Sequence, residues 1–168
     1  SQLKSIVNQT YNNWNLYIRD DGSSDRTLEI VKRFCDEDIR IKQYREKESS
    51  NLGPMRSFFT MLKNVSSPYI MFADQDDVWL PEKIDVTLNK MIAVEKPWTP
   101  CLVHTNLSLV DANLNPLNEG QTSNAKTKDT LKSLLLANDV TGCTVMINET
   151  LRKFAVTNIA NVNVMHDM

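Results

Sequence analysis

The chain has no apolar run approaching the roughly 20 residues that span a bilayer. Its first residues do not read as a signal peptide, because they lack an apolar central region. A basic face is missing too. Lysine and arginine are dispersed, their densest group from Arg40 to Lys47 includes Glu46, and the formal net charge is −2. That charge gives no support for broad nucleic-acid binding, which needs a basic face. Cysteine is scarce and odd in number: Cys35, Cys101 and Cys143 stand far apart in apolar contexts. Without metal-ligand spacing they argue against zinc and for reduced, packed thiols in a cytosolic compartment. There is no internal repeat and no low-complexity segment. What remains, 168 residues that are 41% hydrophobic, suits one soluble globular domain.

The most informative stretch runs from Tyr69 to Pro81. Tyr69 to Ala73 has the length and content of a strand buried on both faces of a parallel sheet. Asp74, Asp76 and Asp77 follow at once, and Pro81 with Glu82 suits the first turn of a helix. Three carboxylates therefore sit at the carboxyl end of a strand, where open α/β sheets bind ligands. Crowded negative charge there needs compensation, and hard oxygen ligands suit Mg²⁺ or Mn²⁺ holding a diphosphate. A polar turn that merely caps a strand is the plainer alternative. An EF-hand fits poorly, because its glycine and its twelfth-position glutamate are absent. A phosphatase-type aspartyl loop lacks its threonine.

In chain order, Ser1 to Gln9 reads as a helix with Leu3, Ile6 and Val7 at helical spacing. Trp14, Leu16 and Ile18 alternate as a strand, followed by the polar turn from Arg19 to Asp25. A helix capped at Ser24 or Asp25 turns Ile30, Val31 and Phe34 inward. Ile39 and Ile41 mark a second strand, and residues 45–50 a charged loop. Asn51-Leu52-Gly53-Pro54 opens a helix buried along Met55, Phe58, Phe59 and Leu62. The helix after Pro81 buries Ile84, Leu88, Met91 and Ile92. Strands over 101–105 and 107–110 precede a turn at 111–116 and a polar loop over 118–128. A helix over 129–137, a strand over 140–147 and a helix over 149–156 complete the pattern. Strands alternating with helices of this length predict an α/β fold with a mostly parallel, doubly wound sheet. His104 reads as a strand residue near the cleft; Trp79 and Trp98 read as core or cleft-wall aromatics rather than sugar-stacking platforms.

Strand-end acids occur twice, at Asp20/Asp21 and at Asp74/Asp76/Asp77. In a doubly wound sheet both turns open on one crevice, which suggests a nucleotide held through a metal. A first-turn carboxylate could accept the imide N–H of uracil or thymine; one at the second could hold ribose hydroxyls. The alternative for Asp20 to Asp25 is an acidic helix N-terminus favoured by the macrodipole.

Three segments, Asp20-Asp21-Gly22-Ser23-Ser24-Asp25-Arg26-Thr27, Asn51-Leu52-Gly53 and Asp74-Gln75-Asp76-Asp77-Val78-Trp79, resemble the inverting family-2 glycosyltransferases of the GT-A fold. The likeness is greatest to the bacterial branch building rhamnose-containing surface polysaccharides. Val140-Thr141-Gly142-Cys143-Thr144 and His166-Asp167 match its later, acceptor-side segments. The resemblance spans about Leu3 to Asp167 and implies one domain, with a donor half over 1–96 and an acceptor-side half over 97–168. It implies that Asp20 (favoured) or Asp21 holds the nucleotide base, and that Asn51, Gly53 and Arg56 line the donor pocket. Asp74 and Asp76 are implied to contact ribose and metal, with Asp77 a further ligand to Mn²⁺ or Mg²⁺. Asp167 looks like the general base, with His166 and Gly142 on the acceptor side. The implied donor is a UDP- or dTDP-linked sugar and the implied acceptor a saccharide or lipid-linked saccharide, with peripheral membrane association and homo-oligomers left open. Relatives begin with an apolar strand central to the sheet, so the resemblance also predicts a chain shortened at both ends, with an open slot in its sheet. A sugar-nucleotide nucleotidyltransferase and a catalytically incomplete binding domain are the alternatives. The former usually opens with a Gly-rich phosphate loop, and none is present.

Overall fold

The computed structural model describes residues 1–44, 51–117 and 141–158. The expected loop over 118–128, the helix over 129–137, and His166 and Asp167 lie outside them. The chain begins with α1 (Gln2–Val7) and β1 (Leu16–Ile18), then α2 (Thr27–Glu37), β2 (Ile41–Gln43), α3 (Pro54–Asn64) and β3 (Tyr69–Met71). After these come α4 (Lys83–Val94), β4 (Leu102–His104), β5 (Val145–Asn148) and α5 (Glu149–Asn158). A 3₁₀ turn, Gly142–Thr144, leads into β5.

The strands form two sheets. β1 and β2 pair in parallel, with Leu16 opposite Ile41 and Ile18 opposite Gln43. The other three lie in the order β3-β5-β4. β5 runs antiparallel to both neighbours, pairing Ile147 with Ile70 on one side and with Leu102 on the other. The α/β class stands, but "mostly parallel" needs correcting: β1–β2 is the one parallel pair among the described residues. The reason is local. β3 and β4 run the same way because α4 carries the chain back between them, and that crossover leaves a gap one strand wide. β5 fills the gap from the opposite end. All four of its residues are buried, as a central strand requires.

Alternation along β5 divides the core. Val145 and Ile147 pack with Leu62 of α3 and Leu151 of α5, while Met146 packs with Met91 and Val103 on the other face. A third cluster joins Ile6, Trp79 and Ile84. Six helical residues are too few to hold α1 together in isolation, so its position depends on tertiary bonds. Gln9 supplies two: its amide donates to the Leu80 carbonyl at 2.7 Å and accepts the Ile84 N–H at 3.0 Å. Ser5 Oγ accepts the Trp79 N–H at 3.0 Å. Thus α1 is fastened to the segment joining β3 to α4.

Several expectations are corrected in detail. α2 begins at Thr27, and Asp25 Oδ1 accepts the Thr27 N–H at 2.9 Å from just outside the helix. Of its expected inward residues Val31 is buried, but Ile30 is exposed. Pro81 lies in the turn before α4, and Ile92 is exposed. β3 is shorter than expected, and its three residues are half-buried. Ile39 precedes β2 and is exposed. Residues 107–110 form no strand; Val110 makes an isolated bridge to Pro116. Trp79 is a core residue, as read, whereas Trp98 is 92% exposed.

Candidate functional site

Both acidic turns leave the carboxyl ends of their strands, β1 for Arg19 to Asp25 and β3 for Asp74 to Asp77. Between the two strands lies a cleft of about 940 Å³. Its walls are largely apolar, and its polar lining includes Arg19, Asp21, Ser57, Asp74 and Asp76. The structure thus brings Asp21 together with Asp74 and Asp76, while Asp20, Asn51, Gly53, Arg56, Asp77 and Gly142 are not among the residues lining it.

Asp21 is the junction of the first turn. It pairs with the buried Arg19 guanidinium, which also donates to Ser57 Oγ at 2.7 Å. Its oxygens accept the Leu52 N–H at 2.8 Å and the Gly53 N–H at 2.7 Å. Burial works against the ionised carboxyl, but the bonds from Leu52, Arg19, Gly53 and Ser57 prevail and hold it below the ordinary aspartate range. Asp20 serves its own turn, its Oδ2 accepting the N–H groups of Gly22 and Ser23, each at 3.0 Å. The Ser23 hydroxyl is the chief cause of its lowered pKa. Asn51 Oδ1 accepts the Gly53 N–H at 3.1 Å. Gly53 sits at φ 75° and ψ 166°, a region essentially restricted to glycine. That conformation, with Pro54 next, starts α3 where Asp21 can reach it. Arg56 is exposed on the first turn of α3.

In the second turn Asp76 is exposed, while Asp74 and Asp77 are half-buried. The Gln2 side-chain amide donates to the Asp74 carbonyl oxygen, so α1 also anchors this loop. Inside the loop, one ligand atom each from Asp74, Asp77 and Cys143 lies within 4.8 Å of the others. Gly142 and Cys143 are buried on the 3₁₀ turn that faces this group. Burial, then the hydrogen bond to Asp77, pushes the Cys143 thiol up to about 12, so it stays protonated at neutral pH. Asp77 Oδ2 is buried without a hydrogen-bond partner. Lys83 completes the surroundings, its Nζ donating to the Cys143 carbonyl at 2.9 Å and lying 4.4 Å from the Trp79 ring centre.

Sequence reasoning missed Arg19, Ser57 and Lys83, none of which carries a motif signal, and gave Cys143, within the Val140 to Thr144 segment, no role of its own beyond a packed thiol. Ser57 lies 38 positions from the arginine that it meets, and Lys83 lies 60 from Cys143. His104 is a half-buried strand residue paired with Val145, away from the cleft lining. Among the described residues, no helix is long and apolar enough to cross a membrane.

Known proteins are similar to this chain in sequence and in fold. The dTDP-rhamnosyl transferase RfbG of Shigella flexneri is 29% identical over 99% of this chain and 56% of its own length. The Escherichia coli UDP-Glc:alpha-D-GlcNAc-diphosphoundecaprenol beta-1,3-glucosyltransferase WfgD is 35% identical over 55% of this chain and 35% of its own. The chain therefore spans about a third to just over half of these two relatives. Among solved structures, S. aureus TarS in complex with UDP-GlcNAc superposes with a TM-score of 0.65, at 17% identity. That superposition covers 89% of this chain and 40% of the TarS 1-349 chain, and it shows a shared fold. The description "Glycosyl transferase family 2" matches residues 2–152, nearly the whole length, and the chain belongs to that family.

Proposed function

We propose that this chain is a glycosyltransferase domain that moves a sugar from a pyrimidine nucleoside diphosphate to an acceptor hydroxyl with inversion. Residues 1–96 form its donor half and 97–168 its acceptor-side half. The observation that best supports this reading is the arrival of Asp21, Asp74 and Asp76 on one cleft from two strand-end turns. A carboxylate of the first turn, Asp20 or Asp21, accepts the base imide N–H; of the two, Asp21 lines the cleft. The named donors of two relatives are UDP- and dTDP-linked, which fits a uracil or thymine base.

Asp76, exposed at the mouth, and Asp74 behind it offer hard oxygen ligands of the kind that suits Mg²⁺ or Mn²⁺. When bound, such an ion stabilises the charge that develops on a departing diphosphate. The residues themselves bind and orient the donor. Arg19 and the N–H groups of Leu52 and Gly53 fix Asp21, and Gln2 fixes the Asp74 backbone. Asp167, outside the described residues, takes the acceptor proton as general base, a role that rests on its resemblance alone. His166 and Gly142 belong to the acceptor side. The acceptor is a saccharide or lipid-linked saccharide of surface polysaccharide assembly, reached by peripheral association at the inner membrane face.

Thermal shift of the full protein with UDP, dTDP and GDP, each with and without Mn²⁺, tests the reading. Ligand at ~100 times its dissociation constant adds about 2.7 kcal/mol of stability. A shift that needs both the metal and a pyrimidine nucleotide is expected. Absence of any shift, or one with GDP alone, would sink it.

A further inference from the structure

Three polar side chains near the start of the chain reach across to one segment. The Gln2 amide donates to the Asp74 carbonyl, and Ser5 Oγ accepts the Trp79 N–H at 3.0 Å. Gln9 makes three bonds. Its Nε2 donates to the Ser5 carbonyl at 3.1 Å and to the Leu80 carbonyl at 2.7 Å, and its Oε1 accepts the Ile84 N–H at 3.0 Å. Three and four positions apart, these residues keep the spacing of one helical face, although Gln9 falls just beyond α1. Gln9 is only 3% exposed, and its partners Leu80 and Ile84 stand 71 and 75 positions away. The Ile84 N–H belongs to the first turn of α4, where no carbonyl of the helix can reach it. Glu82 at the N-cap makes no side-chain cap bond, so Gln9 caps α4 from another part of the chain. The stretch from Asp74 to Leu80 carries all three acids and lies between β3 and α4. Its internal main-chain bond, from the Asp77 N–H to the Asp74 carbonyl, is long at 3.4 Å. The turn is therefore held from outside, by Gln2 where it begins and by Gln9 where it ends.

On the nucleotide-sugar reading above, we propose that Gln9 is a positioning residue of the donor site. By tying α1 to Leu80 and capping α4 at Ile84, it holds the acidic turn in the shape that receives a divalent ion and the donor diphosphate. It touches neither of them and acts through the main chain that carries Asp74 and Asp76. The Leu80 carbonyl needs a donor and the Ile84 N–H an acceptor, and one glutamine amide supplies both. An apolar side chain there leaves the Ile84 N–H unpaired in a buried place.

The experiment compares wild type with Gln9→Met, Gln9→Glu and Met91→Ala in the full protein. Gln9→Met removes all three bonds. Gln9→Glu keeps an acceptor for the Ile84 N–H but no donor at neutral pH, and gives a second variant if Gln9→Met folds poorly. Met91→Ala controls for destabilisation alone, because it opens a cavity in a different core cluster of α4 and leaves the Gln9 bonds in place. UDP binding is followed by calorimetry across a Mn²⁺ titration, at a temperature where every variant is folded. Both Gln9 variants should need about tenfold more Mn²⁺ for half-saturation, as for other groups that orient metal ligands. Met91→Ala should match wild type in Mn²⁺ demand despite its lower thermal midpoint. A second readout, amide hydrogen exchange, needs no ligand. In Gln9→Met the Trp79 and Lys83 amides should exchange about tenfold faster, while those of α3 keep their wild-type rates. Unchanged Mn²⁺ demand in folded Gln9 variants, or an equal rise in Met91→Ala, would overturn the proposal. If wild type binds neither UDP nor dTDP with Mn²⁺, the donor-site reading fails instead. Exchange then decides whether Gln9 sets the acidic turn, and wild-type rates at Trp79 and Lys83 would overturn that as well.

Discussion

The Asp21 carboxylate accepts the Gly53 N–H at 2.7 Å, joining the turn after β1 to the start of α3 across 32 positions of chain. With the Leu52 N–H on its other oxygen and Arg19 beside it, Asp21 braces one wall of the cleft. Asp21→Asn removes the charge from this brace and sets a neutral amide beside a guanidinium whose side chain is only 4% exposed. The expected loss is about 2 kcal/mol, the range for hydrogen bonds to charged groups, measured by urea denaturation at neutral pH.

The same residue sets a pH dependence. Its folded pKa lies below the ordinary value of 3.8, so its contribution is complete above that value and is lost as pH falls through the folded pKa. Wild type should therefore lose stability more steeply than Asp21→Asn below about pH 4. Parallel curves for the two proteins in that window would remove Asp21 from the account.

Gly53→Ala separates backbone strain from crowding. An added Cβ meets nothing within 4 Å, but φ stays at +75°. The expected cost is about 1–3 kcal/mol from conformation alone, visible as a lower urea midpoint with an unchanged slope. Restoring α3 by a shifted turn should also weaken the bond to Asp21, so nucleotide binding should fall with stability.

Two carboxylates should separate binding from turnover. Asp76→Asn alters an exposed side chain, so the melting temperature without ligand should hold while Mn²⁺-dependent nucleotide binding weakens. Asp167→Asn should abolish sugar transfer and spare donor binding. Normal turnover in both variants would remove these residues from the site.

Met91 is fully buried between Val103 and Met146. Met91→Ala should cost about 2–5 kcal/mol through lost burial and the cavity left behind, read as a drop in thermal midpoint. Ile92→Ala, one position on and 55% exposed, should cost far less. The pair tests which face of α4 meets the sheet.

That comparison also marks where sequence reading stopped. Periodicity located α3 and α4, because apolar residues three and four apart must share a helix face. It placed Ile92 on the buried stripe, yet the width of that stripe depends on what packs against it. Asp74 to Asp77 were legible as a candidate site because consecutive acids after an apolar run are a local feature. So was Asp20/Asp21, although nothing local said that Asp21 would spend its oxygens on Leu52 and Gly53.

From the residues alone came the α/β class, the order of helices and strands over the described residues apart from the strand expected over 107–110, and both acidic turns. Those features depend on spacing and on chain neighbours. Only tertiary structure decided that β5 runs against β3 and β4, that Asp77 lies inward beside Cys143, and that Lys83 reaches the Cys143 carbonyl. Strand direction in a gap and the partner of a buried charge are set by which distant segments meet. Desolvation makes those meetings selective, because a buried carboxylate is tolerated only where another part of the chain brings a donor or a positive charge to it.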